Sequence, residues 1–146
     1  NAHSGAVRRE NRSAKRGRFL VDRFANTMIH YHVWFNLKAD VPEESGLAVL
    51  ERFLVNLCGT DEAATFQLLR NKGGPPRSKL PRYHALIQFV DDSQLADAMK
   101  RQAERGIHSG LHGEVIDVVT DFHVEIFSLL GSHLPDGVVG MYACEI

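Results

Sequence analysis

The chain has 146 residues, enough for one domain with a substantial core, and its 44% hydrophobic and 24% charged residues are ordinary for a globular protein. No apolar run approaches the roughly 18–20 residues that span a bilayer, which argues against a membrane partner. Neither Cys58 nor Cys144 lies in a CxxC motif, and Cys58 follows Leu54 and Leu57 on a helical pattern that favours a small buried side chain. Nothing requires an oxidising compartment, so we expect a cytoplasmic protein.

The charge is distributed unevenly along the chain. Residues 1–27 contain seven basic and two acidic side chains, whereas the rest contains ten and sixteen. The acidic body argues against a nucleic-acid-binding domain, which concentrates positive charge on its folded surface. We therefore expect residues 1–27 to be a basic flexible extension, an upstream or processing segment ahead of Met28. An organelle transit peptide and a nucleic-acid-binding arm are the alternatives.

The first predicted elements are a strand and a helix. Residues 29–37 alternate apolar and polar side chains with a period of two, which predicts a half-buried strand. The segment 40–44 predicts a helix start, with Asp40 as the cap, Pro42 in the first turn and acids at the positive end of the dipole. The apolar stripe of this helix contains Leu47, Leu50, Phe53, Leu54 and Leu57, and Gly59 is the expected stop.

The remaining elements follow the same two periods. Strands are predicted at 65–70, 83–90 and 122–129, and a helix capped within Asp91–Ser93 is predicted to end at Gly106. A further short helical turn is indicated by Leu111, Val115, Ile116 and Val119. Residues 131–146, with Pro135 and several glycines, are predicted to be an irregular C-terminal extension. The folded domain is therefore expected to span residues 28–130.

The order β-α-β-β-α-β predicts an α+β fold, a ferredoxin-like sandwich with a four-stranded antiparallel sheet and its helices on one face. Right-handed crossovers place the first strand in the centre, between the third and the fourth. The polar side chains of three adjacent strands then share the face without helices. His32, His84 and His123 are at matched positions on these strands, so we expect them to lie side by side.

Three segments, Ile29–Phe35, Leu80–Phe89 and Val119–His123, resemble the dimeric α/β-barrel superfamily of ferredoxin-like proteins, in particular a small uncharacterised bacterial branch. The resemblance covers about residues 28–130. It implies a homodimer in which two open sheet faces close over each other, with a pocket in the barrel or between sheet and helices. The superfamily includes cofactor-free monooxygenases, haem-degrading enzymes, lactone isomerases, dye-decolourising peroxidases and stress-responsive proteins.

No catalytic set of that superfamily transfers to this chain. Its haem-degrading members use an Asn, a Trp and an axial His, whereas Asn36 and Trp34 here lie two residues apart on one strand and the histidines are on strands. We therefore expect no haem and no other cofactor. The loop 70–82 contains five basic residues and Gly73-Gly74-Pro75-Pro76, but it lacks a phosphate-loop motif, and a solvated hairpin loop is the favoured interpretation over an anion-binding one.

The candidate catalytic residues are His32, His84 and His123, because imidazole, with an ordinary pKa near 6.5, is suited to general-base catalysis. The candidate ligand-binding residues on the same face are Trp34, Asn36, Gln88, Glu125 and Phe127. The three histidines and Glu125 could instead bind a divalent metal, but the compact spacing His30-x-His32 is the only support, and we expect no metal. The histidines and aromatic residues could also be interface residues of the dimer.

The sequence thus predicts a homodimer, joined through the helix-free face, that binds a small organic molecule in a histidine-lined barrel. Cofactor-independent monooxygenase or isomerase chemistry is the expected activity. The alternative is a non-enzymatic, stress-associated or interaction domain whose sheet face serves only dimerisation.

Overall fold

A computed structural model of the chain describes residues 27–74 and 79–133, and residues 29–127 form one compact unit. Along the chain the elements are β1 (Ile29–Leu37), α1 (Glu43–Gly59), β2 (Thr65–Arg70), β3 (Tyr83–Phe89), α2 (Asp92–Arg105), α3 (Gly110–Val118) and β4 (Val119–Ser128). The predicted order β-α-β-β-α-β is confirmed, and α3 is the predicted short helical turn. The two extensions predicted at 1–27 and 131–146 lie almost wholly outside the described residues and stay a prediction.

The four strands form one sheet in the order β2-β3-β1-β4, which confirms the central position of β1. Both β1 and β2 pair with β3 in antiparallel fashion. In this register Phe35 stands opposite Tyr83, and Phe66 stands opposite Ile87. Every second residue of a strand therefore lies on the same face of the sheet as its partners on the neighbouring strand, as the period of two requires.

One face of the sheet carries the core. The odd-numbered residues of β3 are all buried, and Ile29 and Phe35 of β1 are buried with them. The helices contribute Leu50, Leu54 and Leu57 of α1 and Ala98 of α2 to the same cluster. Phe35 and Leu54 are the largest side chains that are fully enclosed. The helices thus cover the odd-numbered face, and the even-numbered side chains of β1 and β3 lie on the other, the helix-free face.

The starts of two elements differ from those expected from the sequence. The prediction of Asp40 as the cap of α1 was wrong, because the N-cap position is Pro42, which offers no side-chain acceptor. β4 begins at Val119, three residues before the predicted start. Asp121 within it has a positive φ of 54°, which interrupts the alternation of side chains. The periodic signal therefore becomes regular only after this residue.

Within the part of the chain that the structure describes, none of the helices combines the length and apolar character needed to cross a lipid bilayer.

Candidate histidine site on the helix-free face

The strand register arranges the helix-free face in rows that run across β2, β3 and β1. The first row contains Thr65, Gln88 and His30, the second Gln67, Leu86 and His32, and the third Leu69, His84 and Trp34. Polar side chains dominate the first row, and the other two bring imidazole, indole and leucine together. This surface is half-buried in its middle even though none of the helices α1, α2 and α3 lies on it.

The second and third rows are joined by a hydrogen bond between two imidazoles. Nδ1 of His32 lies 2.9 Å from Nε2 of His84, a diagonal contact between β1 and β3. The ring of His84 also stacks on Trp34, with centroids 4.6 Å apart and planes inclined by 15°. Phe127 of β4 meets the ring of His32 edge-on, with centroids 4.7 Å apart. The structure therefore brings together four of the predicted site residues.

The environment of these imidazoles favours their neutral form. Burial lowers the pKa of His32 below its ordinary value of 6.5, and the nearby charges that His84 and His30 would carry lower it further. Burial likewise lowers the pKa of His84 and of His30. At neutral pH each ring consequently keeps an unprotonated nitrogen, which is the form that a general base requires.

The first row contains a polar chain in which Gln88 was among the predicted site residues and Thr65 and His30 were not. The hydroxyl of Thr65 donates to Oε1 of Gln88 at 2.6 Å, and Nε2 of Gln88 lies 3.2 Å from Nε2 of His30. The ring of His30 stacks beside that of His32, with centroids 6.2 Å apart. The spacing His30-x-His32 signalled that His30 shares the face, but only the strand register shows its polar partners.

The predicted residues on β4 are less closely connected to this cluster. The ring of His123 lies beside that of Trp34, with centroids 6.0 Å apart. Its Nε2 lies 2.7 Å from Oε1 of Glu125. The His123 side chain is 64% exposed and that of Glu125 is 53% exposed. These two residues thus form an ion pair at the rim of the face, provided His123 is protonated.

Asn36 has a bonding pattern typical of a structural residue. Its Oδ1 accepts a hydrogen bond from the backbone N–H of Arg82 at 2.8 Å, and its Nδ2 donates to Asp121 at 3.3 Å. Asn36 therefore ties the end of β1 to the segment before β3 and to β4. Each polar atom of its amide thus makes one of the two hydrogen bonds that it can form.

Metal binding has no geometric support in the described residues. Between residues 27 and 133, leaving out 75–78, no three His, Cys, Asp or Glu side chains converge closely enough to hold an ion. The basic loop before β3 lies partly outside the described residues. Of its described residues, Arg70 pairs with Glu43 of α1, and the guanidinium of Arg82 lies 6.0 Å from the ring centroid of Tyr83.

A cavity of about 340 Å³ lies on the helical side, where α1, α2 and the start of α3 meet. Phe53, Leu57 and Leu111 form its apolar lining, and Glu62 and Arg105 contribute an ion pair. The carboxylate of Glu62 is buried and bonds to the guanidinium of Arg105 at 2.5 Å. Because the pair is neutral as a whole, this cavity offers a ligand no net charge.

The sheet order and the position of the helices on one face of the sheet together define a ferredoxin-like fold. The chain belongs to the family of unknown function DUF6614, whose model matches residues 28–131. A comparison with curated proteins finds no significant sequence match.

Solved structures share this fold at low sequence identity. The cofactor-independent oxygenase SnoaB from Streptomyces nogalater matches with a TM-score of 0.54 and 13% identity, over 72% of this chain and 95% of that one. The hydroxynitrile lyase from Passiflora edulis matches with 0.53 and 9%, over 75% and 99%. A dimeric ferredoxin-like protein from an uncultured marine organism matches with 0.54 and 10%, over 77% and 96%. At these identities the likeness shows the fold alone.

Proposed function

We propose that the protein is a homodimer in which the helix-free faces of two chains enclose a site for a small organic molecule, and that His32, backed by His84, acts there as a general base. The observation that carries this proposal is the hydrogen bond between the two imidazoles on that face. Cofactor-independent oxygenation and isomerisation are the reaction types that such a site suits, because both can begin with removal of a proton from the substrate.

The number of protons that the two neutral imidazoles carry supports the role of His32 as a base. Two neutral imidazoles carry two N–H groups and two unprotonated nitrogens, and the shared bond uses one of each. When Nδ1–H of His32 donates to His84, the distal Nε2 of His32 keeps its lone pair. A proton taken up at this nitrogen creates an imidazolium whose Nδ1–H bond to His84 becomes charge-assisted and therefore stronger.

The exposed apolar groups of the same face support the dimer. Phe127 is 48% exposed and Leu69 is 44% exposed, and Trp34 and Leu86 lie half-buried between them. An aromatic and leucine patch of this kind is typical of protein–protein interfaces. One of the proteins with the same fold is described as dimeric. Two others, the oxygenase and the hydroxynitrile lyase, are enzymes, which supports a catalytic use of the fold.

A specific observation also favours the non-enzymatic alternative. The rings of Trp34 and His84 cover each other, and Phe127 covers an edge of His32. Side chains that already pack on one another leave less surface for a ligand, as expected of an interface that the partner chain fills. In this case the protein is an interaction domain, and the histidines serve dimerisation alone.

Assembly is tested by light scattering of the full chain at micromolar concentration. We expect a dimer for the wild type and a monomer for Leu86→Arg, because the substitution places a charge in the middle of the proposed interface. Val55→Arg is the matched control, since Val55 is 54% exposed on α1, on the other side of the sheet. A wild type that scatters as a monomer, or a Leu86→Arg variant that stays dimeric, contradicts this interface.

The base is tested with 5-nitrobenzisoxazole, whose ring opens to a coloured phenolate when a base in an apolar site removes its C–H proton. We expect the dimer to accelerate this reaction and His32→Gln to reduce the acceleration about 100-fold, the scale of general-base catalysis. His108→Gln, an exposed histidine in the loop before α3, should leave the rate unchanged. A wild-type rate equal to that of buffer favours the interaction domain instead.

A further inference from the structure

The first row of the helix-free face fixes the protonation of His30. The hydroxyl of Thr65 donates to Oε1 of Gln88, so the NH₂ group of Gln88 is directed at Nε2 of His30. An amide nitrogen only donates, and Nε2 must therefore be the accepting, unprotonated nitrogen of this ring. Within residues 27–74 and 79–133, Nδ1 of His30 makes no hydrogen bond of its own.

We infer that Thr65 and Gln88 hold His30 as its Nδ1–H tautomer, and that His30 donates this hydrogen bond to a substrate oxygen while His32 removes a proton from the neighbouring carbon. The inference rests on the proposed function and names its substrate class, which is enolisable ketones. Thr65 and Gln88 are positioning residues that never contact the substrate. Burial lowers the pKa of His30, which favours the neutral ring. Because Nε2 accepts the hydrogen bond from Gln88, the single proton of the neutral ring is on Nδ1.

The proposed reaction needs neither an oxidant nor a cofactor, because it only moves a proton and two electron pairs. Nε2 of His32 takes the proton on the carbon next to the carbonyl, and the C–H electron pair forms the new C=C bond. The π pair of the carbonyl moves to its oxygen, which gathers negative charge and accepts the hydrogen bond from His30. Return of the proton to the same or another carbon completes an exchange or an isomerisation.

The separation of the two rings fits such a substrate. The centroids of His30 and His32 are 6.2 Å apart. An N–H···O hydrogen bond spans about 3 Å between heavy atoms, and a C–H group that is being deprotonated approaches the base to a similar distance. The two rings lie nearly parallel, with planes inclined by 29°, so their N–H groups and lone pairs are at the ring edges. A C–C=O unit that lies across these edges can meet both rings. The Nδ1–H tautomer is essential, because a lone pair at that nitrogen would repel the developing oxyanion.

The tautomer is tested directly by long-range ¹⁵N–¹H correlation spectroscopy of the full chain above neutral pH. We expect a protonated Nδ1 and an unprotonated Nε2 for His30. Thr65→Val, which keeps the shape but removes the hydroxyl, should shift the ring toward a mixture of tautomers, and Thr65→Ser should restore the wild-type spectrum. A wild-type ring protonated at Nε2 overturns the inference, whatever the activity of the protein.

The substrate class is tested by hydrogen–deuterium exchange at the α-carbon of 2-tetralone in D₂O, followed by NMR. We expect the wild type to accelerate exchange and His32→Gln to abolish the acceleration. His30→Phe should slow exchange about 100-fold, the scale seen when one oxyanion donor is removed. Thr65→Val should slow exchange by a smaller factor with little change in KM, Thr65→Ser should recover it, and His108→Gln should have no effect.

The outcomes separate this inference from the proposed function. Suppose that the dimer opens 5-nitrobenzisoxazole and that this activity depends on His32. If the same dimer does not exchange 2-tetralone, or exchanges it equally well after His30→Phe, the inference is overturned, while the proposal that His32 is a general base is supported. If neither probe reacts faster than in buffer, the proposed function fails, and the substrate class fails with it.

Discussion

His32 bonds to His84 although the strand register places it opposite Leu86. The diagonal contact spans two rows of the sheet, and it leaves Trp34 to stack on His84 directly across the strands. A hydrogen bond between two imidazoles needs one unprotonated nitrogen, so both rings cannot be protonated without losing it. The pair therefore links the charge on this face to its packing, which gives the site a pH dependence that can be measured.

The pH dependence of folding is the first prediction. The pKa values of His30, His32 and His84 are all lowered from 6.5, so the unfolded chain takes up protons at these groups at a higher pH than the folded chain does. Their contribution to stability is thus fully present above about pH 6.5 and is lost as the pH falls through the folded-state values. Urea unfolding should give a smaller free energy at about pH 5.5 than at about pH 7.5.

A double variant, His32→Gln with His84→Gln, is the control for this slope. Glutamine keeps the hydrogen-bonding capacity but does not titrate, so the difference in unfolding free energy between the two pH values should shrink. An unchanged slope in the double variant would show that other groups cause it.

The second prediction concerns the ion pair between the buried Glu62 and Arg105, beside the helical cavity. Glu62 is only 7% exposed, whereas Arg105 is 48% exposed, so removing the arginine leaves a carboxylate buried without its partner. We expect Arg105→Ala to lower the free energy of unfolding by about 1–3 kcal/mol, the cost of an unsatisfied buried group. Chemical denaturation measures this loss.

The exposed ion pair between Arg52 and Glu114 is a matched comparison, because both of its side chains are at least half exposed. Arg52→Ala should cost about 0–1 kcal/mol. Equal losses for the two arginine variants would mean that solvent screens the Glu62 pair as completely as the surface pair.

Most of the fold could be predicted from the sequence, and so could the residues that lie on the helix-free face. Both follow from the regular spacing of apolar and polar residues within single elements. Alternation alone places His32, Trp34 and His84 on the same face. The contacts among them depend on the register between β1 and β3, which are separated by more than forty residues of sequence. A shift of the register by two residues would keep every side chain on its face and place His84 opposite His32 instead of Trp34.

The same limit explains why the hydrogen-bond partners of His30 and Asn36 could not be predicted. The partners of His30, Thr65 and Gln88, come from two other strands, and no local pattern connects them. Asn36 stays a candidate ligand-binding residue, and its amide also bonds to the backbone of Arg82 and to Asp121. These bonds arise where strand ends meet, and strand ends are set by tertiary packing more than by periodicity.

Gly113 of α3 is the subject of the third prediction. A Cβ atom at this position would overlap the backbone carbonyl of His108, which cannot rotate away as a side chain can. Gly113→Ala should therefore destabilise the fold by about 2 kcal/mol or more, despite the better helix propensity of alanine. Gly59→Ala at the end of α1 is the control, since a Cβ there meets nothing within 4 Å. Thermal unfolding should show a lowered Tm for the first variant alone, and equal melting of the two would contradict the close packing of α3 on the preceding loop.

The last prediction uses two neighbours on β1 to separate the two faces of the sheet. Phe35 is 1% exposed in the helix-covered core and stacks on Tyr83, so Phe35→Ala should lower the free energy of unfolding by about 3–5 kcal/mol. Trp34 is half-buried on the helix-free face. Trp34→Ala should cost the single chain less, but it should weaken the proposed dimer. Because a dimer is stabilised by mass action, the urea midpoint of the wild type should fall on dilution, whereas that of Trp34→Ala should depend less on concentration.

Phe35→Ala should keep the concentration dependence of the wild type while shifting every midpoint downward. If instead Phe35→Ala removes the concentration dependence and Trp34→Ala lowers the midpoint equally at all concentrations, the face that joins the two chains is the one that the helices cover.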